Sequence, residues 1–198
     1  MKKQLLICFT AAITFGACNS GTDKSTPTDK KEKDVSVATN TPKVTEPSGD
    51  NSNTAESMKE MVGQYLQMKN ALVNDNGKDA AAAGNAFVAS MGKMEKTTLS
   101  PDKFKIWDNL SDDANEMAQH VGMNGSKLDH QREHFEMLSN DMYDMVKAFG
   151  GGQVLYKDFC PMYNNNKGAI WLSDIKEIKN PYFGKKMPTC GSVKEEIK

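Results

Sequence analysis

Apolar residues recur every three to four positions in four consecutive segments, which is the spacing of one face of an α-helix. The first inward set is Met58, Met61, Val62, Tyr65, Met68 and Leu72, and the second is Ala80, Ala83, Phe87, Val88, Met91 and Met94. The third is Phe104, Trp107, Leu110, Ala114, Met117 and Val121, and the fourth is Leu128, Phe135, Leu138, Met142, Met145 and Phe149. Short joints between the segments predict an all-α fold, an antiparallel four-helix bundle.

The pattern changes after the fourth segment, where aromatic residues, glycine and proline become dense. We predict a loop-rich C-terminal cap with one candidate short strand at 154–156. In this cap Trp171, Tyr182 and Phe183 are expected to cover one end of the bundle. Gln131 falls on the apolar face of the fourth helix. Because a buried amide needs hydrogen-bond partners, we expect Gln131 to tie that helix to the backbone of a neighbour.

The N-terminus has the parts of a bacterial lipoprotein signal. Lysines at positions 2 and 3 precede an apolar stretch from Leu5 to Ala17, and Cys18 follows directly. The apolar stretch is too short for a permanent transmembrane helix. We predict a signal peptide at 1–17 and a lipidated Cys18. The alternative is an ordinary secretory signal that is cleaved nearby.

The segment 18–54 contains no aromatic residue and is dominated by Ser, Thr, Lys, Asp and Pro. Such a segment cannot bury enough apolar surface to offset the entropy of ordering it. We therefore predict a disordered tether that leads to one folded domain at 55–198. Acyl chains on Cys18 would supply the attachment to the lipid bilayer. The absence of an acidic cluster after Cys18 favours a periplasm-facing lipoprotein, with the outer membrane as the expected location.

Composition and motifs exclude several functional classes. Loss of Lys2 and Lys3 with the signal would move the formal net charge from −1 to −3. This balance argues against nucleic acid as a partner, because nucleic-acid interfaces are basic. The chain has no pattern that resembles a Ser/His/Asp set, a phosphate loop or a nucleotide fingerprint. We therefore expect a protein that is not an enzyme.

Cysteine usage leads to the first interpretation of the cap. Removal of Cys8 and lipidation of Cys18 would leave Cys160 and Cys190 as the thiols of the folded domain. Two cysteines in an oxidising compartment predict a disulfide. The disulfide would close a loop of about 30 residues, and the chain-entropy account assigns about 3–4 kcal/mol to such a loop.

A metal site of four sulfur atoms is the second interpretation of the cap. Cys160 and Met162 are two positions apart, and Met187 and Cys190 are three positions apart. Thiolates and thioethers prefer Cu(I) over Mg²⁺ or Ca²⁺, so a cap that brings both pairs together predicts a Cu(I) site. With a disulfide, Met162 and Met187 would instead pack around the bridge. The two states are also able to alternate, with the metal bound in the reduced form.

Histidines on the fourth helix are secondary metal candidates. His130, His134, Met137 and Asp141 follow one another at i, i+4, i+7 and i+11, on a stripe beside the core face. Histidines one turn apart are able to share an ion, and His134 would complete the sulfur site if this part of the bundle approaches the cap. The alternative is a solvated flank with surface histidines. His120 is expected to interact with the C-terminal dipole of the third helix.

The C-terminal block carries the most specific motifs, together with Gln131-Arg132 and Phe135-x-x-Leu138-Ser139 of the fourth helix. The motifs of that block are Cys160-Pro161-Met162, Trp171-Leu172-Ser173, Asn180-Pro181-Tyr182-Phe183-Gly184 and Met187-x-x-Cys190-Gly191. With them, the chain from Tyr65 to Val193 resembles a Bacteroidetes family of periplasmic domains of unknown function, number 3347.

Members of that family occur as lipoproteins or are fused to membrane-fusion subunits of heavy-metal efflux pumps. The resemblance therefore implies a link to copper or similar ions, and an efflux subunit as a partner. The Cys-Pro-Met motif is also similar to a short heavy-metal-binding motif of such pumps. A histidine usually follows that motif, and Tyr163 stands in its place here.

Two functional hypotheses follow. The first is a lipid-anchored periplasmic protein that binds or hands over a soft metal ion, Cu(I), in envelope metal homeostasis or efflux. Its metal candidates are Cys160, Met162, Met187 and Cys190, with His130 and His134. The second is a protein-interaction module without metal that docks on an envelope or efflux component, with Cys160–Cys190 as a structural disulfide.

Overall fold

Four long helices precede a small antiparallel sheet in residues 52–198, the part of the chain that the computed structural model describes. The helices are α1 (Ser52–Val73), α2 (Gly77–Met91), α3 (Pro101–Met123) and α4 (Leu128–Phe149). The strands are β1 (Leu155–Cys160), β2 (Ala169–Ser173) and β3 (Ser192–Ile197), and β1 lies between the other two. Short 3₁₀ turns occur at Lys96–Thr98 and Gly184–Lys186, and the asparagines 164–166 have positive φ in the turn between β1 and β2.

The predicted signal peptide, the lipidated Cys18 and nearly all of the predicted tether lie outside the described residues. Helix α1 begins at Ser52, so residues 52–54 at the end of that tether are helical. Within 52–198, no helix combines the length and the apolar character that crossing a membrane requires.

The predicted helical faces form the core. Each helix packs on the next along the chain, and α1 also packs on α4. Every predicted inward residue of α1 is buried, and so are most of those of α2 and α4. The main exception is Phe104, which is 43% exposed near the start of α3. Most methionines at these positions are buried, which confirms their predicted packing role.

Gln131 has the structural role that its position predicts. Its side chain is fully buried, and its amide nitrogen donates to the carbonyl oxygens of Gly77 (2.9 Å) and Val121 (3.0 Å). One amide thus links α4 to the start of α2 and to the end of α3.

The prediction of an all-α fold is wrong for the C-terminal part, where a three-stranded antiparallel sheet replaces the loop-rich cap. The candidate strand at 154–156 belongs to β1, which extends to Cys160. Strand β3 alternates exposed and half-buried residues and is rich in charge, so it lacks an apolar run that would mark it in the sequence. Pairing with β1, far away along the chain, stabilises it instead.

Two buried polar side chains attach the sheet and its loops to the helices. The Tyr65 hydroxyl lies 2.8 Å from Ser139 Oγ on α4 and accepts the backbone amide of Leu172 on β2 at 3.0 Å. Arg132 donates from Nε to the carbonyl oxygen of Pro181 (2.9 Å) and from Nη2 to that of Leu72 (3.1 Å). The end of α1, the middle of α4 and the C-terminal loops are thereby held together.

A buried charge also lies between the sheet and α1. Lys69 is fully buried, and its Nζ donates to Ser173 Oγ (3.3 Å) and to Asp174 Oδ1 (3.1 Å). Asp158 on β1 is fully buried too, and neither of its carboxylate oxygens has a hydrogen-bond partner. Burial raises the pKa of Asp158 to about 7, and the charge of Lys69 offsets only part of this effect.

We expect Asp158→Asn to raise the thermal stability at pH 8 and to leave it unchanged at pH 4. The pKa of Asp158 is about 7 in the fold against 3.8 ordinarily, so stability falls as pH rises from about 4 through 7. The neutral amide avoids the cost of burying a carboxylate at pH 8. Thermal unfolding followed by circular dichroism should show a Tm at least about 3 °C higher at pH 8.

Asp174→Asn is the matched control, because Asp174 is a partner of the same lysine. Burial by itself would raise the pKa of Asp174, but the hydrogen bond and charge of Lys69 hold it below its ordinary value. Its ionised form therefore stabilises the fold at neutral pH, and Asp174→Asn should lower the Tm at pH 8. A lower Tm for Asp158→Asn at pH 8 would contradict this account.

Candidate metal centre

The sheet brings the two cysteines of the folded part together. Cys160 ends β1 and is fully buried, while Cys190 is half-buried in the loop before β3. Antiparallel pairing sets Phe159 opposite Ser192, which places the residues beside them at one end of the sheet. The two Sγ atoms are 3.1 Å apart. Two thiols, 30 positions apart along the chain, thus meet where one metal ion or one disulfide is able to join them.

Gly191 permits this approach. Its φ of +147° lies in a region that side-chain-bearing residues rarely adopt. An added Cβ would lie 2.8 Å from the Trp171 ring and 3.0 Å from the carbonyl oxygen of Phe159. The glycine after Cys190 therefore lets the loop run tightly against the sheet.

Asn180 holds the loop that carries Cys190. It is fully buried, and its Nδ2 donates to the carbonyl oxygen of Cys190 at 2.6 Å. Its Oδ1 accepts the amides of Tyr182 (2.8 Å) and Phe183 (3.0 Å), and its own amide donates to Pro188 at 2.9 Å. One side chain therefore connects both ends of the loop 180–190. The sequence analysis names Asn180 as part of a motif but assigns it no role, because an amide side chain does not by itself show which backbone groups it bonds.

The two cysteines are not bonded to each other in this structure. The hydrogen bond with Cys160 raises the pKa of Cys190, and burial raises it further, although the backbone of Met162 has a smaller opposite effect. A thiol with a raised pKa keeps its proton at neutral pH. A metal ion must therefore displace that proton to bind the sulfur.

The two predicted methionine ligands flank the cysteines. Met162 is 47% exposed, and it lines a surface groove of about 690 Å³ together with Met137 and Phe183. Met187 is half-buried, and its carbonyl oxygen accepts the amide of Cys190 at 3.3 Å. The structure thus brings the sulfur atoms of Cys160 and Cys190 into contact and places the Met187 backbone beside Cys190. The Met162 side chain lines the groove.

Tyr163 is a packing residue at the position where the similar efflux motif has histidine. Its ring stacks on Tyr182 at 4.3 Å between centroids and meets Phe183 edge to face at 5.9 Å. Burial raises its pKa to about 12, so the phenol stays neutral. The aromatic residues after Cys-Pro-Met therefore form a packed wall beside the groove.

The histidines form a second cluster, on α3 and α4. His120, His130 and His134 each offer a ligand atom, and these atoms all lie within 4.8 Å of one another. In residues 52–198, no other three His, Cys, Asp or Glu side chains meet this closely. His130 and His134 therefore cluster with His120 of α3, and the cysteines belong to a separate group on β1 and the loop before β3.

His134 lies at the centre of this cluster. Its ring stacks on His120 at 4.2 Å and meets His130 edge to face at 4.4 Å. Its Nδ1 is 3.3 Å from the sulfur of Met117. Burial lowers the pKa of His134, and the neighbouring histidines lower it further, which favours the neutral imidazole that binds metals. The sequence analysis assigned His120 and Met117 other roles, because periodicity does not fix how two helices face each other.

We expect Asn180→Ala to destabilise the fold and to release the sulfur pair. The loss of several buried hydrogen bonds should reduce the free energy of unfolding by about 2 kcal/mol or more, measured by urea titration. Alkylation of Cys160 under native conditions should become at least about tenfold faster, since opening exposes a buried thiol.

Asn140→Ala is the matched control, because Asn140 is exposed on α4 and its amide bonds only within its own helix. Its effect on stability should stay within about 0.5 kcal/mol. Equal alkylation rates of Cys160 in both variants would show that Asn180 does not hold the loop.

Comparison with known proteins gives a match in the helical part of the chain. Residues 61–153 match the family model described as Protein of unknown function (DUF3347). The match covers most of α1, all of α2 to α4 and the start of the following loop, and it ends before Cys160. No curated protein and no solved structure matches the chain. The match over 61–153 thus supports the domain-of-unknown-function family. Of the motifs that indicated this family, those of α4 lie within the match and those of the C-terminal block lie outside it.

Proposed function

We propose that this protein binds a soft metal ion, Cu(I), and that Cys160 and Cys190 are the principal ligands. The observation that carries the proposal is the 3.1 Å contact between the two sulfur atoms. Thiolates select soft ions such as Cu(I) over Mg²⁺ and Ca²⁺. The half-buried Cys190 gives an ion access to the pair, while the buried Cys160 gives it a site with little water.

Binding exchanges protons for metal. Each thiol loses its proton when its sulfur binds Cu(I), so two protons leave for one ion bound. Because the pKa of Cys190 is raised, protons compete with the metal at neutral pH. Affinity should therefore rise with pH. Met162 and Met187 are the proposed additional thioether ligands, since one follows Cys160 by two positions and the other precedes Cys190 by three.

The cellular setting belongs to the same proposal. A lipidated Cys18 would anchor the chain, and the segment 18–54 would tether the domain on the periplasmic side of the outer membrane. The four helices would act as an antiparallel bundle that supports the metal-binding sheet. A subunit of a heavy-metal efflux system is the proposed recipient of the ion. The role is binding and transfer, without catalysis.

The second candidate function uses the same sulfur contact differently. A Cys160–Cys190 disulfide would staple the sheet, and the domain would dock on an envelope or efflux component without metal. The contact between the sulfurs favours this function as much as the first, because it is also the approach that precedes a bridge. The experiment below separates the two.

Loss of either cysteine should abolish tight Cu(I) binding. The full chain is prepared reduced in a Cys8→Ser/Cys18→Ser background, so that Cys160 and Cys190 are its thiols. Competition with a chromophoric Cu(I) chelator should show one ion bound per chain. Cys160→Ser and Cys190→Ser should each weaken Cu(I) binding at least about 100-fold. Loss of a residue that only hydrogen-bonds a metal ligand lowers metal affinity by about 10–100-fold, and loss of a ligand itself should cost more.

Met162→Leu and Met187→Leu test the proposed thioether ligands, and Met123→Leu, 70% exposed at the end of α3, is their control. The first two should weaken Cu(I) binding by a smaller factor than loss of a cysteine, while Met123→Leu should leave it unchanged. Circular dichroism checks that each variant keeps its helices. If the reduced chain binds no Cu(I), the metal proposal fails. An unreduced chain that yields the Cys160–Cys190 bridged peptide would then favour the interaction module.

A further inference from the structure

We propose that His120, His130 and His134 form a second metal site, separate from the sulfur pair, that takes a borderline transition-metal ion such as Zn(II) or Cu(II). These three residues are all the histidines of the chain, and two helices bring them to one place. Imidazole nitrogen suits Zn and Cu ions, whereas Mg²⁺ and Ca²⁺ prefer oxygen ligands. The site goes beyond the proposed Cu(I) function and does not depend on it.

The spacing of the ligand atoms fits one ion. Zinc binds imidazole nitrogen at about 2.0–2.1 Å, so nitrogens that share one tetrahedral ion lie about 3.4 Å apart. The histidine ligand atoms already lie within 4.8 Å of one another. Small rotations of the side chains therefore suffice to close the site, without movement of the helices. Three protein ligands leave a fourth position for water or for an exchanging ligand.

Each histidine has its own partner outside the cluster. The Met117 sulfur lies 3.3 Å from His134 Nδ1, and a thioether has no hydrogen to donate, so this nitrogen donates. The Nε2 lone pair of His134 is thereby left for a metal. Glu116 lies 3.8 Å from His120 Nε2, and Glu133 lies 3.6 Å from His130 Nδ1. Both distances exceed a hydrogen bond, so these carboxylates add negative charge beside the rings, whereas the contact with Met117 is of the kind that orients a metal-binding imidazole.

The cluster is open to ions in solution. The side chains of His120 and His130 are 37% and 38% exposed, and His134 is half-buried between their rings. An ion therefore reaches the site from solvent while the helical core stays closed. Two carboxylates at the rim give the approach a negative charge that favours a cation.

The test uses the full chain in which all four cysteines are replaced by serine, so that no thiol contributes. Isothermal titration with Zn(II), and separately with Cu(II), should show one ion bound per chain for at least one of these metals, and Mg(II) should not bind. His120→Asn and His134→Asn should each weaken metal binding at least about 100-fold. Loss of a residue that only orients a metal ligand already lowers metal affinity by about 10–100-fold.

A pair of methionine substitutions tests whether the contact between Met117 and His134 contributes to metal binding. Met117→Leu keeps the volume of the side chain but removes the acceptor for His134 Nδ1, so it should weaken binding about tenfold. Met137→Leu is the control, because Met137 shares the histidine stripe of α4 and is 41% exposed. It should leave binding unchanged. Equal effects of the two substitutions would overturn the assigned role of Met117.

A second measurement covers the case in which a variant fails to fold. In the reduced wild-type chain, ¹⁵N-NMR of the imidazole rings should show all three histidines shifting together once Zn(II) exceeds what the thiols take up. In the chain without cysteines, imidazoles that neither shift at saturating Zn(II) nor broaden at saturating Cu(II) would overturn the site and leave three clustered surface histidines. Because Cu(I) binding at the cysteines is measured with separate variants, either proposal is able to fail without the other.

Discussion

The position of Cys190 depends on the buried amide of Asn180. This one side chain bonds the carbonyl oxygen of Cys190 and the amides of Tyr182 and Phe183, while its backbone bonds Pro188. These bonds connect the two ends of the loop 180–190, which leads into β3. Pairing of β3 with β1 sets Cys190 beside Cys160. The fold thus holds the two cysteine sulfurs side by side at one end of the sheet, which is the preorganisation that the proposed binding site requires.

The helical part supports this edge and carries a separate set of ligands. Tyr65 and Arg132 fix the sheet and its loops against α1 and α4 through buried hydrogen bonds. The outer flank of α3 and α4 presents the three histidines. The sulfur pair suits a soft ion and the imidazole cluster suits a borderline one. One small domain therefore carries two chemically different sets of candidate ligands, built on different elements.

The sequence predicted the helices well, because the residues of each core face recur every three to four positions within one segment. Met58, Tyr65 and Leu72 on α1 show this spacing, and all three are buried. The sequence did not predict the sheet, because β3 is rich in charged residues and is stabilised by pairing with β1, which lies far away along the chain. A readable signal existed in the turn Asn164–Asn166, whose positive φ angles suit asparagine between paired strands. The meeting of His120 with His134 depends on how α3 faces α4. No single helix contains that information, so the sequence paired His134 with His130, and with the cysteines only if the bundle approached the cap, and it left His120 out of the group.

X-ray absorption at the copper edge of the Cu(I)-loaded, reduced full chain tests the central claim most directly, because it reports the ligand atoms themselves. The Cys8→Ser/Cys18→Ser background limits the available thiolates to Cys160 and Cys190. The account predicts a first shell with at least two sulfur atoms that is lost in Cys160→Ser. A shell of nitrogen or oxygen alone, with both thiols free, would contradict it.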